Sequence, residues 1–213
     1  QPWMTSTLLP CEQDWFFGHL QVGGFNTTNL RGVVLQSDGQ GSAMTLAALQ
    51  KKMPVTDAML ASLLGRAGAT LAEAAADKRL YVCDYTLMEG ATADSLHGEQ
   101  RYVCAPIALF YFNPEPPAGY PPVAGGVMQP LAIQLGQQHD AETTPVFTPN
   151  DCLHANDENG LKWRAAKFIV NAVCAIDHES IAHLGSCHFV IEPIIVAAHR
   201  LLAPEHPLLK LLL

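Results

Sequence analysis

Apolar residues are spread unevenly along the chain, and their period changes twice. Residues 12–20 (EQDWFFGHL) place Trp15, Phe16 and Phe17 on the inner side of a short helix. Gly23-Gly24 ends it, and Asn26–Asn29 is turn-like. Residues 31–53, with LQSDGQGSAM, predict a loop-rich exposed stretch. Thr56 stands where an N-cap belongs, ahead of a helix over Asp57–Gly65, and Thr70 does the same for the Ala-rich LAEAAADK. From Arg79 the period shortens. Residues 79–85, 101–112 and 127–135 predict three strands, with VFTPND as a short fourth. The Pro/Gly-rich segment 113–126 reads as a hairpin connection, since strands flank it. Pro106 and Pro130 predict edge positions or irregular strand starts, because Pro cannot donate to a ladder.

From Leu161 to Leu202 the apolar residues run without a clean polar face, which predicts a helix buried on most sides. About 40 residues at about 1.5 Å each span roughly 60 Å, the width of a whole domain. A helix of that length implies surroundings larger than this chain supplies. The predicted fold is mainly α with a small antiparallel β-sheet (α+β). It forms one unit over 1–213, with helices and sheet over about 1–160 and the long helix over about 161–203.

Composition narrows the classes. Apolar residues make up 49% and charged residues 15%, a globular balance with a large core. Net charge is −8 and the 12 Lys and Arg are scattered, which argues against nucleic acid as a partner. The six cysteines form no CxxC pair and several lie in apolar runs. They read as reduced thiols, which favours a cytoplasmic setting. No uninterrupted apolar run is long enough to span a membrane and no signal peptide opens the chain, so membrane contact is expected only for substrate access. The start at Gln1 reads as a processed or truncated chain.

The long helix carries His178, His183, His188 and His199, more imidazoles than packing requires. Positions five apart on an α-helix face about 140° away from each other, so His183 and His188 could not share a metal there. In π geometry, with i→i+5 bonds, they come onto nearly one face. Gly185, Ser186 and Pro193 ease that distortion. The competing reading is core histidines satisfied by hydrogen bonds. Spacing does not choose between these readings, nor between the pairs His178–His183 and His183–His188.

The stretch as a whole resembles the metal-binding region of lipoxygenases. The matching positions, in order, are Trp163, Lys167, His178-Glu179, His183, His188, Glu192, Arg200, Leu202, His206-Pro207 and Lys210-Leu211-Leu212. Upstream, WFFGHLQVGGFNTTNLRGV is similar to the family's segment ending in Asn-Pro, with Thr27 in place of the Pro. VTDAML, RLYVCDYTLMEG, RYVCAPIALFYF, MQPLAIQL and PVFTPND follow in the family's order. The resemblance covers nearly the whole chain but only the first part of a lipoxygenase catalytic domain.

It implies a non-haem metal dioxygenase that adds O₂ to polyunsaturated fatty acids holding a 1,4-pentadiene. A ferric centre takes a hydrogen from the bis-allylic carbon, and O₂ adds to the radical. The metal would be iron, with manganese as the alternative. Carried over, His183 and His188 are metal ligands, and Glu192 steadies the site from outside the ligand set. His178 lies near the metal without binding it, and Ala175 bounds the end of the substrate pocket. The family's third histidine, its Asn-like ligand and its C-terminal carboxylate fall beyond this chain, so the expected partner is the rest of the catalytic domain. Leu213 aligns with an internal block and is not expected to act as that carboxylate. The alternative is a catalytically incomplete fragment that binds lipid or oligomerises.

Overall fold

Strand β6 (Ile107–Asn113) is apolar on both sides, and that explains the architecture. Ile107, Leu109 and Tyr111 enter one buried cluster, while Ala108 and Phe110 enter another. A strand covered on both faces reads as a continuous apolar run rather than as an alternation. In the computed structural model, which describes residues 9–37, 39, 43–152 and 158–212, helices lie on both sides of the sheet.

The remaining strands are β1 (Leu30–Val34), β2 (Met44–Thr45), β3 (Leu80–Asp84), β4 (Ser95–Leu96), β5 (Glu99–Gln100), β7 (Val127–Gln134) and β8 (Val146–Phe147). The six-stranded sheet runs β2-β1-β3-β6-β7-β8, and β4 and β5 form a separate hairpin. Every pair in the larger sheet is antiparallel except β1–β2, which is parallel. One face carries α2 (Leu46–Lys52), α3 (Asp57–Leu64) and α4 (Leu71–Ala76), with Leu49, Leu60 and Leu71 packed on Leu80, Val82 and Leu109. The other face carries α1 (Asp14–Gly23) and α5 (Glu158–Asp177), with Phe17, Trp163, Val170 and Val173 packed on Cys83, Phe110 and Ile133.

Local chemistry fixes several boundaries as expected. The Thr56 and Thr70 hydroxyls accept from the Met59 and Glu73 amides, each at 3.2 Å, and so cap α3 and α4. Four expectations fail. Residues 31–53 are not mainly loop: they hold β2, α2 and most of β1, with Thr45 capping α2 through the Ala48 amide. Gly32 and the flanking polar run hide a strand whose antiparallel partner, β3, lies far along the chain. The second strand starts at Ile107 rather than Arg101, just after Pro106, whose carbonyl accepts from the Tyr85 amide. Pro130 lies on β7, between β6 and β8, at a bulge where the register shifts between Leu109 and Phe110. That bulge sends the adjacent Leu131 and Ala132 into the same cluster. Of the three aromatic residues at the start of α1, only Phe17 is fully buried; Trp15 and Phe16 are half-buried. Residues 38 and 40–42, within the stretch expected to be exposed, and Leu213 lie outside the described residues.

The long helix departs most from expectation. α5 is continued by a π segment (His178–His188) and then by α6 (Phe189–Leu201); α7 (Pro207–Leu212) follows a break. Burial stops near Asp177. No residue of the π segment or of α6 is buried, and Phe189 is 62% and Leu201 82% exposed. By length and composition alone, Gly160–Leu201 is apolar enough to cross a membrane. A search for uninterrupted apolar runs misses it because Asp177, Glu179 and the histidines break the run. Cys11, Cys83, Cys104, Cys174 and Cys187 are free thiols.

Candidate metal centre

α5 is fastened to α1 by a buried charge. The Lys167 ammonium, 2% exposed, meets the Asp14 carboxylate at 2.6 Å and donates to the Glu12 carbonyl. The Trp163 indole N–H donates to the same Asp14 oxygen at 2.8 Å, and Arg164 pairs with Glu12 at 3.0 Å. A buried ammonium is tolerated only when it is paired and hydrogen-bonded in this way. One end of the long helix is therefore fixed in both position and rotation.

Beyond Asp177 the ladder widens. The Phe189 amide donates to the Leu184 carbonyl and the Cys187 thiol to the Ala182 carbonyl at 3.3 Å, both five residues back. A Cβ at Gly185 would lie 3.2 Å from the Ser180 carbonyl oxygen, so a residue without one eases the wide turn. Pro193 lies inside α6, and its missing N–H removes a further rung.

The wide turn brings His183 and His188 together. Their Nε2 atoms are 2.9 Å apart, with ring centroids at 4.6 Å. Two imidazole nitrogens each about 2.1 Å from one ion lie about 3.0 Å apart at right angles and about 3.4 Å apart at the tetrahedral angle. The observed spacing fits two adjacent positions of an octahedral set. It is also the length of a direct N–H···N hydrogen bond. The Glu179 carboxylate lies 3.1 Å from His183 Nδ1. With Nδ1 protonated toward that carboxylate, the His183 lone pair sits on Nε2, the atom that faces His188. His178 stacks on His183 at 5.5 Å, and Phe25 makes an edge contact with His178 at 5.2 Å. His178, Glu179 and His183 also form a cluster whose ligand atoms all lie within 4.8 Å of one another.

The other expected site residues are placed differently. Glu192, in the first turn of α6, is exposed and makes no hydrogen bond or ion pair among the described residues. Ala175 is half-buried on α5, just before His178. Sequence reasoning passed over Glu179 as a partner of His183. Its position four residues earlier on a helix, where side chains meet, is the signal that could have found it.

The lipoxygenase family model matches residues 11–213. The chain belongs to the lipoxygenase family. Among curated relatives, the arachidonate 12-lipoxygenase, 12R-type, of Rattus norvegicus is 33% identical over 94% of this chain and 24% of its own length. The hydroperoxide isomerase ALOXE3 of Rattus norvegicus is 34% identical over 95% of this chain and 24% of its own length. Among solved structures, a calcium-dependent 11R-lipoxygenase superposes with a TM-score of 0.70 at 28% identity, over 95% of this chain and 25% of that one. This lipoxygenase chain thus spans about a quarter of the length of the curated relatives it matches. The likeness covers both faces of the sheet and the long helix, so the mainly α fold with a small sheet is that of the family.

Proposed function

We propose that this chain supplies two histidine ligands, His183 and His188, to the metal centre of a lipoxygenase, and that it is the first part of the catalytic domain. The intact protein then dioxygenates polyunsaturated fatty acids, converting a 1,4-pentadiene and O₂ to a hydroperoxide. The observation that carries the reading is the 2.9 Å approach of the two Nε2 atoms across five residues of π geometry. A bound metal, iron in this reading with manganese as the alternative, supplies the one-electron chemistry that removes the bis-allylic hydrogen. The chain's own residues prepare the place. Glu179 holds the Nδ1 proton of His183, and His178 restricts that ring by stacking on it. Glu192 steadies the site from outside the ligand set and Ala175 bounds the pocket, roles carried by the resemblance. The remaining ligands and the fatty-acid carboxylate anchor come from polypeptide beyond these residues.

A second reading, a module that binds lipid or self-associates, draws on the exposed apolar surface of α6. Metal analysis and oxygen uptake with linoleate or arachidonate separate the two. In the intact protein, His183→Ala and His188→Ala should each lose the metal and the activity. Retained metal and turnover in both variants would reject the ligand assignment. Stoichiometric iron and turnover in the 213-residue chain alone would show that it needs no further ligands. A fatty-acid hydroperoxide belongs among the substrates tested, because a relative named as an isomerase is as similar as one named as an oxygenase.

A further inference from the structure

The last polar tie of α5 to the sheet side of the molecule lies immediately before the π segment, and it comes from a loop at the other end of the chain. The Asn26 amide donates to the Cys174 carbonyl at 3.2 Å and to the Asp177 carboxylate at 2.9 Å, residues 148 and 151 positions away. Asn26 and Asp177 are both buried. The Thr28 hydroxyl lies 3.3 Å from Asn26 Oδ1, which therefore accepts and directs both amide hydrogens at the helix. A flipped amide would set oxygen against oxygen at both contacts. Among the described residues, the Asn26 amide is the hydrogen-bond partner of the Asp177 side chain, a buried carboxylate that would otherwise be costly. Phe25, the preceding residue, packs on His178.

Phase is what such a tie controls. The Cys174 carbonyl and the Asp177 carboxylate are both met by the one Asn26 amide, so holding a main-chain and a side-chain atom of the same turn fixes rotation as well as position. A slip of one residue at the α-to-π junction would turn every later side chain by about 100°. No residue of the π segment is buried, so packing within this chain corrects little of such a slip.

We propose that Asn26 is a positioning residue for the metal centre: it pins the turn from which the π segment starts, and so sets the direction in which His183 and His188 point. The inference rests on the ligand assignment made above. The test uses the intact protein, with Fe²⁺ affinity per folded molecule measured by chelator competition and amide hydrogen exchange followed over residues 178–189. Asn26→Ala should weaken Fe²⁺ binding about tenfold or more and speed exchange through the π segment. Asp177→Asn keeps an acceptor oxygen for the Asn26 amide and should bind Fe²⁺ within about threefold of wild type. Leu49→Ala, a core deletion on the opposite face of the sheet, should lower Tm without changing affinity. Should Asn26→Ala not fold, Asn26→Leu is neutral and of similar length, loses both donors and should show the same loss. Wild-type affinity and exchange in the Asn26 variant, with metal lost in His183→Ala, overturns the inference alone. Affinity that falls in Leu49→Ala in step with Tm also overturns it, since general stability then explains the effect. Metal held at wild-type affinity by His183→Ala overturns the ligand assignment and the inference with it.

Discussion

Removing either member of the Lys167–Asp14 pair should destabilise the protein, but by unequal amounts. The Lys167 side chain is 2% exposed and that of Asp14 is 26% exposed. In Asp14→Ala the ammonium stays buried with the Glu12 carbonyl and the Trp163 ring face but no counter-charge, and the Trp163 indole loses its acceptor. Stranding a buried charge costs about 3–5 kcal/mol. In Lys167→Met an apolar chain fills the space, while Asp14 keeps the indole donor and some water, so the loss is about 1–2 kcal/mol. In the double variant the stranded ammonium is gone. Its cost should fall short of the sum of the singles by about 2 kcal/mol, as for residues sharing a network. Urea denaturation of the intact protein, with hydrogen exchange of the α5 amides as a local readout, measures all three. Equal single costs, or additive ones, would refute the claim that the pair is a buried charge held by its partner.

Two further outcomes follow from packing and burial. A Cβ at Gly18 would sit on the Met128 carbonyl oxygen, inside contact distance, because α1 lies directly on β7, whereas one at Gly32 would meet nothing within 4 Å. Gly18→Ala should cost about 1–3 kcal/mol or more, Gly32→Ala no more than about 0.5 kcal/mol, and thermal melts that rank them the other way would contradict the α1–β7 contact. Burial raises the Cys83 thiol and the Tyr85 phenol well above their ordinary values, and raises the Cys174 thiol. The unfolded chain releases these protons first, so the folded state binds more of them and stability falls as pH rises above about 9. Urea midpoints that stay flat from about pH 8.5 to 10.5 would contradict this, and Cys83→Ala should blunt the fall.

What the sequence revealed was mostly local. Thr56 and Thr70 announce their helices because a cap needs only a hydroxyl three residues ahead of an orphan amide. The five-residue spacing of His183 and His188 stated a condition, π geometry, which the backbone meets. Strand β1 was illegible because its register is set by β3, some fifty residues later. Asn26 looked like a turn residue, and nothing nearby in sequence hints at Cys174 or Asp177. Burial of the long helix on most sides fails beyond Asp177, the stretch for which its length already called for surroundings larger than this chain. Apolarity reports what a surface would prefer to touch, not whether these residues provide it.

The partners of α5 described here share one property: Glu12, Asp14, Phe17, Asn26 and the strands of the sheet all precede it in the chain. During synthesis, α5 can therefore dock as soon as it leaves the ribosome, onto a platform already made. The histidine pair then emerges from a helix whose base is set, while the apolar flank of α6 finds no cover among the described residues. In the growing chain that bare flank is the part of this region most open to chaperones and to aggregation.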